Sequence, residues 1–538
     1  MKSTFPTVDL IVHHTRIFDP IDGFLPSTAL AVGCERILAL GSDQEILDLK
    51  KTSTRVIDAR GHLLLPGFTD AHTHYWKYVQ RQLEVNLEDC HSLSETLQRV
   101  REKVRESPEG SWITGGGWNY NLWPTGEYPD RRQLDEISTR HFIALDSKDW
   151  HTCWVNTPVL KMMGISLDKP YPDAKQLAFH PVSGQFTGLL EEKARLAVYN
   201  FLPRWDYRRL KDKYPEVLKQ FHQFGITGVH SVETADEFRI SQEARLADQL
   251  GMRIFWYFPH QLLDQAKSLG IGQGIGDEYL QINGIKMFVD GAFGSQTAEL
   301  SENYDGLTHA GTEVMTEAEL QEIVAAAVAN RLSCAVHAIG DRAVQKTLHV
   351  LGKFSEKSQH FGLRHRIEHA QLIQPNDIPL FKKYHIYASV QPIHLAYDIP
   401  IIRKYLSNRA QFTYPFGELR RQGARLLFGS DIPVENFNPW LGIYTAMERK
   451  YLFREDEPTF FPAHKLDLVS CLQAYTINPA EVVGMSHPLG RIQPGMLADF
   501  FLCNQDIFEV RAEQLKDTRS ILTVIGGKVY YEDHEFLY

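Results

Sequence analysis

Cysteine is scarce in this chain, with six residues in 538, at positions 34, 90, 153, 334, 471 and 503, and no two of them stand at CxxC spacing. That scatter excludes a disulfide framework and a zinc ribbon and sets a reducing, cytoplasmic setting as the expectation. No stretch approaches the roughly 20 apolar residues that a membrane helix needs. The opening MKSTFPTVDLIVHHTRIFDP alternates charged and apolar residues, without the continuous apolar core of a secretory signal, so none is expected. Basic runs are missing too: 57 Lys and Arg face 67 Asp and Glu, a formal net charge of −10. Nothing here tracks a phosphate backbone, so a small molecule is the expected partner rather than nucleic acid or a membrane.

What is present is an ordinary globular mixture, 43% hydrophobic and 23% charged, long enough for about three structural units. The two ends read alike. VDLIVHHTRIF, LALGS and STRVIDA at the start match FFLCNQD, ILTVIGGKVYY and HEFLY at the finish as short strands separated by turns. Because chain termini often lie close together, the ends are expected to pair into one β-sandwich.

Between them, apolar runs alternate with helical stretches, the pattern of βα units around a parallel sheet. The candidate strands are 62–68, 142–146, 226–232, 253–258, 285–290, 333–339, 366–370, 387–392 and 425–431. From His74 to Ile226 is 152 positions, far more than the roughly 30 of one βα unit, so 142–146 belongs to an insertion and eight strands remain. Eight is the number a closed (β/α)₈ TIM barrel requires. In YPEVLKQFHQFG, Val217, Leu218, Phe221 and Phe224 recur at helical spacing and Gly225 is placed to end the helix. The expected division is 1–62 with 488–538 as the β-sandwich, 63–75 with 212–487 as the α/β barrel, and 76–211 as an insertion over the barrel mouth.

Reactive side chains in such barrels collect at the C-terminal ends of the strands. His72 and His74 follow the first strand two residues apart, so an extended chain points both imidazoles one way, which suits zinc or a similar cation. Lys286 lies inside the apolar run IKMFVD; burial favours its neutral amine, which can take up carbon dioxide as a carbamate, although a snorkelling or ion-paired lysine is the better reading from chemistry alone. His337 and His369 end their strands 32 residues apart, one βα unit. Asp431 ends the apolar run RLLFGSD, and a buried carboxylate needs a cation or a proton; capping of the following turn is the plainer alternative.

The set His72, His74, Lys286, His337, His369 and Asp431 resembles the amidohydrolase superfamily. KMFVDGAFGSQTA, VHAIGDRAV, RIEHAQL, GSDIPVENFNPW and LGRIQPGMLADFFL resemble in particular the amidohydrolase family 3 branch, which includes N-substituted formamide deformylases; GGGWNYNLWP and HTCWVN in the insertion do so as well. The resemblance implies a barrel with a flanking β-sandwich, a carboxylated Lys286 bridging two metals, and hydrolysis of a non-peptide carbon–nitrogen bond in an amide, N-formyl or cyclic amide substrate. It reverses the preference for an ion-paired lysine.

The expected chemistry is attack by metal-activated hydroxide, with Asp431 taking the proton and passing it to the leaving nitrogen. Asp341, Arg342, Gln391, His394 and His151 are candidates for orienting substrate, with second-layer support as the alternative for each. His230 and Trp150 are further candidates for substrate preference. The insertion carries Trp112, Trp118, Tyr120, Trp123, Trp150 and Trp154, which form either an apolar substrate pocket or the insertion's own core. Ester or lactone hydrolysis or isomerisation on the same metals stays open, as does a non-catalytic scaffold, which would predict missing ligands. One or two ions fit equally, and a homodimer is expected only on the general prevalence of such assemblies.

Overall fold

The computed structural model describes residues 7–537 apart from 89, 121–122, 124–127, 149–151, 166–176, 180–185, 451–456 and 486. The chain divides into two compact units, 1–76 with 214–538 and 77–213. In the first, eight parallel strands follow one another around a sheet in chain order. They are β1 (Phe68–Thr73), β2 (Ile226–Val232), β3 (Arg253–Pro259), β4 (Leu280–Phe288), β5 (Ser333–Ala338), β6 (Arg366–His369), β7 (Tyr387–Val390) and β8 (Leu426–Phe428). A short strand, Ile275–Gly276, pairs antiparallel with β4.

The sheet returns on itself just past the strand ends. Asp431 N donates to His72 O and His74 N to Ile432 O, both at 2.8 Å, with a parallel bridge between Thr73 and Ile432. This makes a nearly closed parallel barrel of the TIM kind. Helices cover its outer face, which is why strands such as β2 and β5 are buried at every position and read as continuous apolar runs. The helix leading into β2 spans Tyr214–His222, burying Val217, Leu218 and Phe221, and Gly225 adopts φ +74° where the chain leaves it.

Two strand expectations need correction. The run 62–68, read as the first barrel strand, belongs to two sheets. Leu63–Pro66 pairs with Arg16–Asp19 and Phe500–Cys503, while the barrel strand starts at Phe68 and contains His72. Gly67 is the pivot: its N–H goes to Asp499 O at 2.9 Å, and the next N–H, of Phe68, goes to Gly225 O at 2.9 Å. A Cβ at Gly67 would stand 2.2 Å from Thr227 Oγ1, so only glycine permits this approach. An apolar run carries no mark of where it changes partner. HEFLY, read as a strand, holds the short helix His534–Leu537, which opens with Glu535 N donating to Asp533 Oδ1.

Both chain ends meet beside the barrel. One sheet has the order Arg36–Gly41, Ala29–Gly33, Leu10–His13, Arg55–Asp58; the other runs Lys528–Glu532, Ser520–Ile525, Phe500–Cys503, Leu63–Pro66, Arg16–Asp19, Gly23–Phe24. Val12, Leu30, Val32 and Ile57 of the first share one apolar cluster with Ile17, Leu64, Phe500, Leu502 and Val524 of the second. The second sheet is fastened to the barrel by a buried ion pair. Arg253, which starts β3, donates from Nε and Nη2 to Asp499 Oδ2 and Oδ1 at 2.6 and 2.8 Å.

The unit 77–213 has its own six-stranded sheet, which includes the Phe142–Ser147 strand assigned to the insertion by its spacing. Trp118, Trp123 and Trp154 pack with Leu134 and Leu145 in its apolar cluster, and Trp118 Nε1 donates to Leu145 O at 2.8 Å. These rings pack in the core of that unit, which is the second of the two readings given them, and Trp118 is buried there. Helices pack on both faces of this sheet, and the large rings fill one of the two layers between sheet and helices. His151 and Trp150 lie outside the described residues. Among the described residues no helix is long and apolar enough to cross a membrane.

Replacing Arg253 with Met leaves the Asp499 carboxylate buried without its cation, for which the expected cost is about 3–5 kcal/mol, read as a lowered midpoint in urea unfolding of the purified protein.

Candidate metal centre

The six donor candidates come together at the C-terminal ends of the barrel strands. His72 lies in β1 and His74 just beyond it, Lys286 in β4, His337 in β5, His369 closes β6, and Asp431 follows β8. His72, His74, His337, His369 and Asp431 line one cavity of about 390 Å³. Donor atoms of His72, His369 and Asp431 lie within 4.8 Å of one another. Nε2 of His72 and of His74 stand 3.4 and 3.3 Å from Asp431 Oδ1. Lys286 Nζ is 3.5 Å from His72 Nε2, and among the described residues it makes no ion pair with a carboxylate.

Two donors depend on unusual backbone. His369 has φ +72° and Asp431 φ +62°, both in the left-handed region. Successive strand residues face opposite ways, yet the Glu368 carboxylate bonds the His72 ring while the His369 ring centroid sits only 5.0 Å from it. The left-handed turn at His369 brings the second side chain to the same side. Such strain persists only where the surroundings hold it, and it concentrates at functional sites.

Each imidazole is pinned from behind. His72 Nδ1 donates to Glu368 Oε2 at 2.5 Å, His74 Nδ1 to Val232 O at 2.7 Å, His369 Nδ1 to Gln391 Oε1 at 2.7 Å, and His337 Nε2 to Gly291 O at 3.0 Å. Every acceptor requires the proton on the nitrogen it faces, so the tautomers follow from the partners. The lone pairs are left on Nε2 of His72, His74 and His369 and on Nδ1 of His337. Burial, reinforced by Lys286, holds His72 down to about 4 and His337 to about 3, which keeps both neutral. Burial likewise lowers the Lys286 ammonium to about 8.

The weaker candidates divide. His394 lines the cavity with Nε2 3.9 Å from Asp431 Oδ2, while Gln371 Nε2 donates to its Nδ1 at 3.4 Å, leaving the proton on the nitrogen that faces the cavity. Gln391 is occupied in holding His369. Asp341 accepts from Ser301 N and Oγ and from Gln374 Nε2, and Arg342 is exposed with Nε 3.2 Å from Glu299. Neither lines the cavity, because the helix they open, Asp341–Lys353, turns the chain away from the strand end. His230 is buried and accepts from Arg366 Nη1 at 2.8 Å.

Sequence reasoning missed Glu368 and Arg366, although a signal was there. Opposite charges two residues apart on a strand share a face, and on a strand that reads as buried they must pair with something. It also missed the apolar cavity wall of Phe288, which ends β4, Phe293 just after it, Ile339 after β5 and Val434 after β8, residues scattered along the chain.

Gly429 lies against β1: a Cβ there would stand 2.6 Å from His72 N and 2.7 Å from His72 Cβ. Gly429→Ala is therefore expected to push His72 out of register, lowering stability by about 1–3 kcal/mol and reducing metal content measured by elemental analysis.

Comparison with known proteins agrees with this geometry. The protein LONG AFTER FAR-RED 3 of Arabidopsis thaliana is 31% identical over 99% of this chain and 94% of its own length. The N-substituted formamide deformylase of Arthrobacter pascens is 23% identical over 94% of this chain and 95% of its own. The crystal structure of an uncharacterized metal-dependent hydrolase from Pyrococcus horikoshii OT3 superposes with a TM-score of 0.79 at 24% identity, over 94% of this chain and 99% of that one, and so shares the fold. The profile described as the amidohydrolase family spans residues 55–531, and with that match across most of its length the chain belongs to the amidohydrolase family.

Proposed function

We propose that this protein is a metal-dependent hydrolase of non-peptide carbon–nitrogen bonds, with His72, His74, Lys286, His337, His369 and Asp431 holding one or two divalent cations, zinc the first candidate. The observation that carries the reading is a convergence of acceptors. With Nδ1–H of His72 and of His74 committed elsewhere, both Nε2 lone pairs face Asp431 Oδ1 at 3.4 and 3.3 Å, three converging acceptors with Lys286 Nζ beside one of them, 3.5 Å from His72 Nε2. A cation that accepts lone pairs from the imidazoles and the carboxylate would resolve that arrangement, and nitrogen with oxygen donors suits zinc and its first-row neighbours. Such a cation supplies Lewis acidity, polarising a carbonyl and bringing the pKa of water towards neutrality.

The chain's own residues supply the rest. Asp431 is the one carboxylate among the six donors and reaches the cavity, so it is placed to take a proton from the attacking water and return it to the leaving nitrogen. The outward N–H of His394 is placed to hold the substrate carbonyl oxygen or the leaving group as charge shifts. Phe288, Phe293, Ile339 and Val434 form an apolar wall that accepts the substituent carried by the substrate nitrogen or acyl group. Lys286, buried and without a carboxylate ion pair among the described residues, has its pKa lowered by burial to about 8, so a minor fraction of its amine is neutral near pH 7. Bond formation between Nζ and carbon dioxide, with loss of one proton, would give a carbamate with two oxygens for two cations. The relative that acts on N-substituted formamides supports an N-formyl or related amide as substrate.

Elemental analysis of gently purified protein, followed by a screen of N-formyl amines, N-acyl amines and cyclic amides beside esters and lactones, tests the proposal. Bound divalent metal is expected, with turnover of at least one carbon–nitrogen substrate that a chelator abolishes and metal restores. Asp431→Asn is expected to lower kcat by about 10²–10⁴-fold. Turnover confined to esters, or an Asp431→Asn variant with full activity, would refute it.

A further inference from the structure

We infer that Arg366 and Glu368 form a clamp across the barrel lumen that positions His72 for its metal, so that Glu368 is a positioning residue of the centre. The inference rests on the metal reading above. Both side chains come from β6 and are fully buried, and both reach β1. Arg366 Nη1 donates to Ala71 O at 2.9 Å, and Glu368 Oε2 accepts from His72 Nδ1 at 2.5 Å. The sheet places β7 and β8 between β6 and β1, so these contacts run through the lumen rather than along the sheet. The two side chains are themselves ion-paired, Arg366 Nε to Glu368 Oε1 at 2.5 Å. One ion pair thus grips the carbonyl just before His72 and the far side of its ring. The guanidinium also bonds His230 on β2 and lies 4.1 Å over the Tyr257 ring on β3, which leaves the clamp little room to swing.

Of the four imidazoles, His72 is the one whose ring hydrogen-bonds a carboxylate; the Asp290 carboxylate stands farther from His337, with Oδ1 3.6 Å from Nε2. His74 and His337 bond backbone carbonyls and His369 bonds an amide oxygen. A charge-assisted hydrogen bond is shorter and stronger than a neutral one, and a carboxylate behind an imidazole raises the basicity of the nitrogen in front. Arg366 has a part in this as well. Its ion pair with Glu368 and its bond to Ala71 O hold the carboxylate against the Nδ1 side of the ring, with Nε2 on the opposite side. A purely structural role would instead lower the stability of the metal-free fold and leave metal affinity unchanged, although the ion pair taken alone is a weak source of stability. Replacing a buried ion pair with apolar side chains of similar volume is commonly neutral or stabilising for the fold.

The test uses the full-length protein stripped of metal by dialysis and titrated with Co²⁺, whose visible spectrum reports ligand geometry, against a chromogenic chelator; the melting temperature of each metal-free variant is read in parallel. In Arg366→Met/Glu368→Leu, which also leaves His72 Nδ1, His230 Nδ1 and Ala71 O without these partners, the metal-free protein is expected to stay folded with a lowered melting temperature, while Co²⁺ affinity of the folded fraction falls about 10–100-fold and the visible bands change. Glu368→Gln, which keeps an acceptor but not its charge, is expected to fall between this variant and the wild type. Wild-type Co²⁺ affinity and spectrum in either variant would overturn the inference. So would a lowered melting temperature in which the remaining folded fraction binds Co²⁺ normally, since the pair would then serve only the fold. If the wild-type protein itself takes up no Co²⁺ or Zn²⁺, it is the metal reading that fails.

Discussion

The closure of the barrel between β8 and β1 is the constraint on which the site depends. It is made by backbone bonds, Asp431 N to His72 O and His74 N to Ile432 O, just past both strand ends, with Ser430 N also donating to Asp70 Oδ1 across the seam. The two backbone bonds set the separation of His72, His74 and Asp431, because the residues that close the sheet are the residues that carry the donors. Gly429 faces His72 so closely that any side chain would part the strands. The left-handed backbone at Asp431 and His369 then turns the carboxylate and the imidazole inward at points where a regular strand would send them elsewhere.

A second constraint is the cost of polar groups in the lumen. Burying a charge or an unpaired polar atom is expensive, and the barrel carries Arg366, Glu368, Lys286, Asp431 and several imidazoles in its interior. The chain meets most of that cost internally. Arg366 pairs with Glu368, Glu368 with His72, Gln391 with His369, and carbonyls with His74 and His337. Each pairing consumes the side of the group that faces away from the cavity. What remains, three acceptors around one point and an amine nearby, is therefore directional. The same logic acts at the other end of the barrel, where Asp499 receives the guanidinium of Arg253 and the N–H of Gly526 while its backbone carbonyl accepts from Gly67. One residue thus joins the barrel to the sheet that both chain ends build.

Much of the fold could be read along the chain because the barrel strands are covered on both faces. Such strands appear as unbroken apolar runs, and a histidine or aspartate at the end of one stands out against them. That contrast exposed His72, His337, His369 and Asp431, and the equal spacing of the runs exposed the insertion. The contrast disappears where an apolar run serves two sheets in succession, as 62–68 does around Gly67. It disappears too for polar residues that open a helix after a strand. Asp341 and Arg342 have the look of site residues in HAIGDRA, yet their partners are Ser301, Gln374 and Glu299, from loops far away in sequence.

The sequence by itself determined which residues are able to bind a cation and at which strand ends they stand, because a strand's burial and its terminal donor are both local properties. It also determined that a long segment leaves the barrel after His74. Only the tertiary structure decided which nitrogen of each imidazole faces the cavity, that Gln391 holds His369, that Trp118 belongs to the core of the unit 77–213, and that Arg366 and Glu368 reach β1. Those outcomes depend on partners brought near by closure of the sheet or by packing within a separate unit, and proximity of that kind leaves no trace in the order of residues along one chain.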